Sequence, residues 1–103
     1  MPVGVLYEAD GFGERDYEAV NEALRDGEAS PDGLVVHIAG PSAHGWRVME
    51  LWESAESLRA FRSAHLDPAF DRAGVARVVP EVMPVHTVLP PVAALASVVR
   101  PHA

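Results

Sequence analysis

Apolar and polar positions alternate along four short stretches of this chain and recur at helical spacing along two others. Val3 to Glu8 (VGVLYE) is a β-branched-rich run closed by Asp10 and Gly11, and reads as a first strand. Between Gly13 and Asp26 the period changes. Tyr17, Val20 and Leu24 lie on one helical face, with Glu14, Asp16 and Glu18 in the first turns, where carboxylates favour the helix dipole. Gly27 suits the C′ position. Ser30-Pro31-Asp32-Gly33 is a turn signal, Leu34 to Ala39 reads as a second strand, and Trp46 to Trp52 as a third. The loop from Gly40 to Gly45 is short enough to make these two an antiparallel hairpin.

Ser54 is a helix N-cap, and Leu58, Phe61 and His65 continue at helical spacing behind it. Asp67-Pro68 predicts an end to that helix near Leu66 and a fresh short helix from Pro68 to Ala73, closed by Gly74. Val82 to Leu89 reads as a fourth strand, and Pro84 within it assigns it to a sheet edge. Residues 1–89 thus make one domain. Residues 90–103, an apolar Pro-rich stretch, read either as a frayed tail or as an arm laid on a partner subunit. The order strand-helix-strand-strand-helix-strand (βαββαβ) defines an α+β, ferredoxin-like domain with a four-stranded antiparallel sheet and both helices on one face.

That arrangement leaves one sheet face bare. The third strand carries Trp46, Val48, Glu50 and Trp52 on one side and Arg47, Met49, Leu51 and Glu53 on the other. The second alternates Leu34, Val36 and Ile38 with Val35, His37 and Ala39. A sheet apolar on both faces needs two covers, and the economical second cover is another copy of the same sheet. The sequence therefore predicts a homodimer. Length agrees, since a chain of 103 residues builds only a marginal core by itself.

Composition narrows the partners. A formal net charge of −7 with no basic cluster argues against nucleic acid. All eight basic residues are Arg, which together with abundant Ala and Val reads as coding from a GC-rich genome. The absence of cysteine excludes disulfides and thiolate chemistry. No signal-peptide pattern opens the chain and no apolar run approaches the ~20 residues of a membrane span, so the expected location is the cytoplasm, away from membranes.

Candidate chemistry follows from the hairpin. If it closes symmetrically about its loop, Ala39 faces Trp46, His37 faces Val48 and Val35 faces Glu50. His37 and Glu50 then lie diagonally on one face with Trp46 and Trp52. A His–carboxylate pair on an aromatic-lined surface is an acid/base unit able to take a proton from a phenol or an activated methylene. Alternatively, the two groups satisfy each other in a half-buried place. A one-residue slip in register would separate them. His65, on the Leu58–Phe61 face, reads as a second proton donor or as a cation capping its helix C-terminus. Tyr7, Trp46, Trp52 and Phe61 either fill the core or line a pocket for a flat ligand. His44 and His86 read as surface residues. Their spacing matches no metal motif, and neither GxSxG nor a dinucleotide fingerprint is present.

The order of elements and the segment Gly45-Trp46-Arg47-Val48-Met49-Glu50-Leu51-Trp52-Glu53-Ser54, with the amphipathic helix directly after it, resemble the dimeric α/β-barrel superfamily. The match is to its small actinobacterial proteins of the antibiotic-biosynthesis-monooxygenase type. The resemblance covers roughly residues 2–89 and implies two ferredoxin-like sheets paired into one barrel. It also implies cofactor-independent monooxygenation, cyclisation or isomerisation of an aromatic or polyketide-like small molecule, with no cofactor and no metal. Phe61 stands where monooxygenase-like members often carry His, and the first strand lacks the Asn of haem-degrading relatives, so haem chemistry is not carried over. A non-enzymatic ligand-binding or structural dimer of the same fold is the alternative. Cavity volume on the helix side separates the two.

Overall fold

The structure, a computed structural model, describes residues 1–90. Its elements are β1 (Val3–Asp10), α1 (Glu14–Asp26), β2 (Leu34–Pro41), β3 (Gly45–Trp52), α2 (Ala55–Phe61), α3 (Asp67–Ala73) and β4 (Glu81–Pro84). The sheet is antiparallel in the order β2-β3-β1-β4, so β2 and β4 are its edges, as Pro84 requires of β4. This is the ferredoxin-like α+β arrangement. The expected arm at residues 90–103 lies, beyond Pro90, outside the described residues. Among the described residues no helix is long and apolar enough to cross a membrane.

Strand pairing sorts the side chains into two faces. Val3, Val5, Tyr7 and Ala9 of β1 oppose Trp52, Glu50, Val48 and Trp46 of β3, and these four β1 residues are buried. The alternate residues Leu6 and Glu8 oppose Met49 and Arg47 on the outer face. Gly45 opposes Asp10 at the end of this pairing, where a Cβ would lie 2.1 Å from the Ala9 carbonyl oxygen. Only glycine permits that approach of the hairpin to β1.

The hairpin differs from the symmetric closure in two ways. β2 runs on to Pro41, so Pro41 pairs with Trp46, Ala39 with Val48 and His37 directly with Glu50. The register is displaced by two residues, which leaves the side chains from Val36 to Ala39 on their expected faces. The turn itself shrinks to Ser42-Ala43-His44, closed by the Ser42 amide donating to the Gly45 carbonyl at 2.9 Å. Pro41 is tolerated because β2 is an edge. At the other end the ladder steps from Leu34–Trp52 to Val36–Leu51, leaving Val35 as a bulge. The bulge places Leu34 on the His37 face, against the simple alternation.

The helical layer also departs from expectation. Asp67-Pro68 does not end the helix. The chain keeps right-handed helical dihedrals through Arg62, Leu66 and Asp67, and residues Arg62–Leu66 form one wide π-helical turn between α2 and α3. The Asp67 amide donates to the Arg62 carbonyl five residues back. A wider turn is one way to pass a proline, whose ring clashes with the carbonyl four residues before it. At the start of α2, Ser54 Oγ accepts from the Ser57 amide at 3.0 Å. Gly74, at φ 74°, closes α3 in the left-handed region. β4 stops at Pro84, far short of Leu89, because Pro84 already pairs with Val3, the first residue of β1. Only the Val85 amide reaches further, to the Pro2 carbonyl at 3.0 Å.

The core is in two parts. Val3, Val5 and Tyr7 pack with Trp52 and Leu58 between sheet and α2. Val20 and Ala23 of α1 pack with Ala69 and Phe70 of α3. Leu66 and Val78 touch both parts. Helix α1 therefore seats chiefly on α3 and stands off from the sheet.

Candidate active site

The gap between α1 and the sheet is a cavity of about 290 Å³. Its walls are mostly apolar: Val20 and Leu24 from α1, Leu34 and Val48 from the strands, and Leu66 and Phe70 from the helical layer. The volume is at the small end of ligand pockets, which run from about 300 to 1,000 Å³, and with this lining it has room for a small organic molecule.

Four of its lining residues form a hydrogen-bonded chain. His37 Nδ1 and Glu50 Oε2 are 2.6 Å apart. The other carboxylate oxygen of Glu50 accepts from Trp52 Nε1 at 2.8 Å. On the far side of the imidazole, His37 Nε2 lies 2.6 Å from the Tyr17 hydroxyl. With Glu50 ionised and acceptor-only, the consistent assignment has Nδ1–H donating to Glu50 and Nε2 accepting from Tyr17 O–H. One-tenth of the Glu50 side chain is exposed and one-third of that of His37, so the chain runs from the interior toward solvent at the β2 edge.

Local structure explains each position. His37 and Glu50 are directly paired across the hairpin, at the distance where cross-strand side chains meet. Trp52 is two residues beyond Glu50 on the same strand face and is 1% exposed, which fixes its indole N–H on the carboxylate. Tyr17 comes from the opposite wall. It lies over Trp46 at 5.3 Å between ring centroids and nearly parallel to His37 at 6.0 Å.

Tyr7, Trp46, Trp52 and Phe61 all line the cavity, as do His37 and Glu50. Trp52 and Phe61 stand at 5.5 Å. Burial raises the Tyr7 phenol well above its ordinary ionisation value, with the nearby Glu50 charge adding to the effect, so Tyr7 is a neutral wall. His65 is apart from the cavity lining and packs against Phe61 at 5.7 Å, in the π-helical turn. Tyr17 is the member to which sequence reasoning assigned no chemical role. Its position on the inward stripe with Val20 and Leu24 is the signal that places it opposite the hairpin. Among the described residues no three His, Cys, Asp or Glu side chains cluster as a metal site would need.

No protein-family model matches the chain, and no curated protein matches it by sequence. Solved structures do match in fold. SnoaB, a cofactor-independent oxygenase from Streptomyces nogalater, is 14% identical with a TM-score of 0.59, the match covering 87% of this chain and 97% of SnoaB. A monooxygenase from the gene ActVA-Orf6 of Streptomyces coelicolor, solved with the ligand nanaomycin D, is 19% identical with a TM-score of 0.54, covering 87% of this chain and 92% of that one. A dimeric ferredoxin-like protein of unknown function from Thermobifida fusca is 15% identical with a TM-score of 0.56, covering 82% and 92%. In fold, the chain is a ferredoxin-like α+β protein, and in that respect it is similar to these three structures.

Proposed function

We propose that this protein binds an aromatic or polyketide-like small molecule between α1 and the sheet and catalyses its cofactor-independent oxygenation, with His37 and Glu50 as the acid/base pair. The observation that carries this reading is a 290 Å³, largely apolar cavity lined by one hydrogen-bonded His–carboxylate pair. A filled interior would have left His37 and Glu50 as a structural pair with nothing to act on.

The chemistry needs a base, a dry wall and oxygen. Neutral His37, held in one tautomer by Glu50, draws a proton from a phenol or from a methylene activated by flanking rings. The resulting carbanion donates electrons to O₂. At a methylene, one oxygen atom remains on carbon as a ketone and the other leaves as water with the two hydrogens. Trp46, Trp52 and Phe61 hold the ring system flat, and neutral Tyr7 adds no competing charge. His65, against Phe61 and off the cavity lining, supports that aromatic wall in this reading.

The working unit is a cytoplasmic homodimer. On the outer sheet face Ile38, Met49 and Met83 remain 54%, 47% and 63% exposed, an apolar surface that a second copy covers. The dimeric Thermobifida fusca protein of the same fold supports this assembly.

Oxygen uptake tests the activity. Incubated with anthrones and hydroxylated naphthacenes, the protein consumes O₂ and yields the quinone. His37→Gln and Glu50→Gln each lower the rate by about 10²- to 10⁴-fold. Turnover without O₂ uptake reassigns the same base to cyclisation or isomerisation. Absence of turnover and of thermal stabilisation across that panel rejects this substrate class.

A further inference from the structure

Both imidazole nitrogens of His37 are already engaged. Nδ1 is 2.6 Å from Glu50 Oε2, and Nε2 is 2.6 Å from the Tyr17 hydroxyl. A ligand in the cavity therefore meets the Tyr17 oxygen before it meets a free ring nitrogen. We infer that Tyr17 is the catalytic residue that exchanges a proton with the ligand, while His37 and Glu50 act behind it. The inference rests on the acid/base reading above and names the group through which that reading works.

The phenol suits this place because it both donates and accepts. Its O–H points at His37 Nε2, and its remaining lone pairs accept a hydrogen bond from a ligand hydroxyl. As the ligand proton moves to the Tyr17 oxygen, the Tyr17 proton moves to Nε2. The ligand becomes its anion, Tyr17 ends neutral, and His37 ends as an imidazolium whose Nδ1–H faces the Glu50 carboxylate. Net charge is conserved, and the new cation lies beside the Glu50 carboxylate. Trp52 is a positioning residue in this scheme, since its indole N–H occupies the other Glu50 oxygen at 2.8 Å and fixes how the carboxylate meets His37.

Three features hold Tyr17 to the task. Its ring is held against Trp46 and His37. The helix that carries it is anchored on α3 through Val20 and Ala23 against Ala69 and Phe70. The chain has one other tyrosine, Tyr7, and that phenol is buried at 6% exposure, with its ionisation opposed by the Glu50 charge. The ligand class follows from the same geometry: a flat, largely apolar molecule bearing an acidic hydroxyl on the edge that faces α1 and β2.

Alizarin, a dihydroxyanthraquinone whose visible band moves to longer wavelength when its phenol ionises, is the probe. On the wild-type protein its apparent ionisation moves down by about one pH unit, tenfold in the constant. Tyr17→Phe keeps the ring and binds alizarin but loses that shift, and His37→Gln loses it too. A shift retained in Tyr17→Phe overturns the inference, because His37 would then act directly; a shift retained in His37→Gln overturns the relay. A second readout needs no ligand. Diethyl pyrocarbonate modifies unoccupied imidazole nitrogens, and peptide mass spectrometry follows His37 against the other four histidines. His37 reacts about tenfold faster in Tyr17→Phe than in wild type, the effect of one lost hydrogen bond. If wild type fails to bind alizarin, the substrate reading fails for this class, and the His37 reactivity still judges Tyr17: an unchanged rate overturns its place on Nε2.

Discussion

The two faces of the sheet are made from the same strands by alternate residues, yet they have different fates. The inner face carries Val3, Val5, Tyr7 and Trp52, each at most 7% exposed. It also holds the His37–Glu50 pair beside a cavity. The outer face carries Leu6, Ile38, Met49 and Met83 around the Glu8–Arg47 cross-strand ion pair. Ile38, Met49 and Met83 stand in the open there. The inner face is covered by helices that do not close onto it everywhere, so polar groups there gather around a space. The outer face has no space to organise, only area to cover. Chemistry requires the first condition and association the second.

Substitution at the centre of the inner face tests that contrast most severely. Trp52→Ala removes an indole that is 1% exposed and strips one donor from Glu50. It should cost about 3–5 kcal/mol of stability by urea unfolding. A loss under 1 kcal/mol would mean that the inner face is no core at all. The outer face responds differently. Met49→Asp places a charge where a second copy is expected, at a side chain 47% exposed in the single chain. Burying that unpaired carboxylate costs about 3 kcal/mol or more, so dimerisation weakens about 100-fold or more. Light scattering should then give the monomer mass where wild type gives the dimer. A wild-type monomer, or an undisturbed dimer in Met49→Asp, breaks the comparison.

Alkaline pH gives the smallest effect and sharpens the inner face alone. Tyr7 ionises in the unfolded chain near the ordinary tyrosine value of about 10, whereas the folded protein holds it neutral to higher pH. Its contribution is therefore fully present below pH 10 and declines as pH rises beyond it, by up to about 1.4 kcal/mol per pH unit. Unfolding measured between pH 9 and 11 should lose that slope in Tyr7→Phe. An identical slope in the variant would place Tyr7 in contact with solvent.

Much of this arrangement was legible in the residues. Alternation in β3 sorted Trp46, Glu50 and Trp52 to one side, and period two protected that assignment even though the hairpin register moved by two residues. The end of β4 was not legible, because it depends on where β1 begins across the sheet. The π-helical turn was not legible either: Asp67-Pro68 is a helix-start pair locally, and only a chain already docked on both sides carries the helix through it. Tyr17 was visible as an inward helical position, but nothing in its neighbours names His37 as its partner. His65 shared a helical face with Phe61, and that contact formed, yet the wide turn in which it sits left it off the cavity lining.

The sequence by itself determined the order of elements and the face that strand residues take outside the Val35 bulge, and hence that His37 and Glu50 share a face. These are set by local periods and by a short loop, where a residue's neighbours are its cause. The tertiary structure alone decided that α1 seats on α3 and stands away from the sheet. Val20, Ala23, Ala69 and Phe70 close that contact, and the distance it leaves is why the aromatics line a cavity and why the Tyr17 hydroxyl reaches His37. Such a gap is the difference between two distant sets of contacts, and no local pattern encodes a difference of that kind.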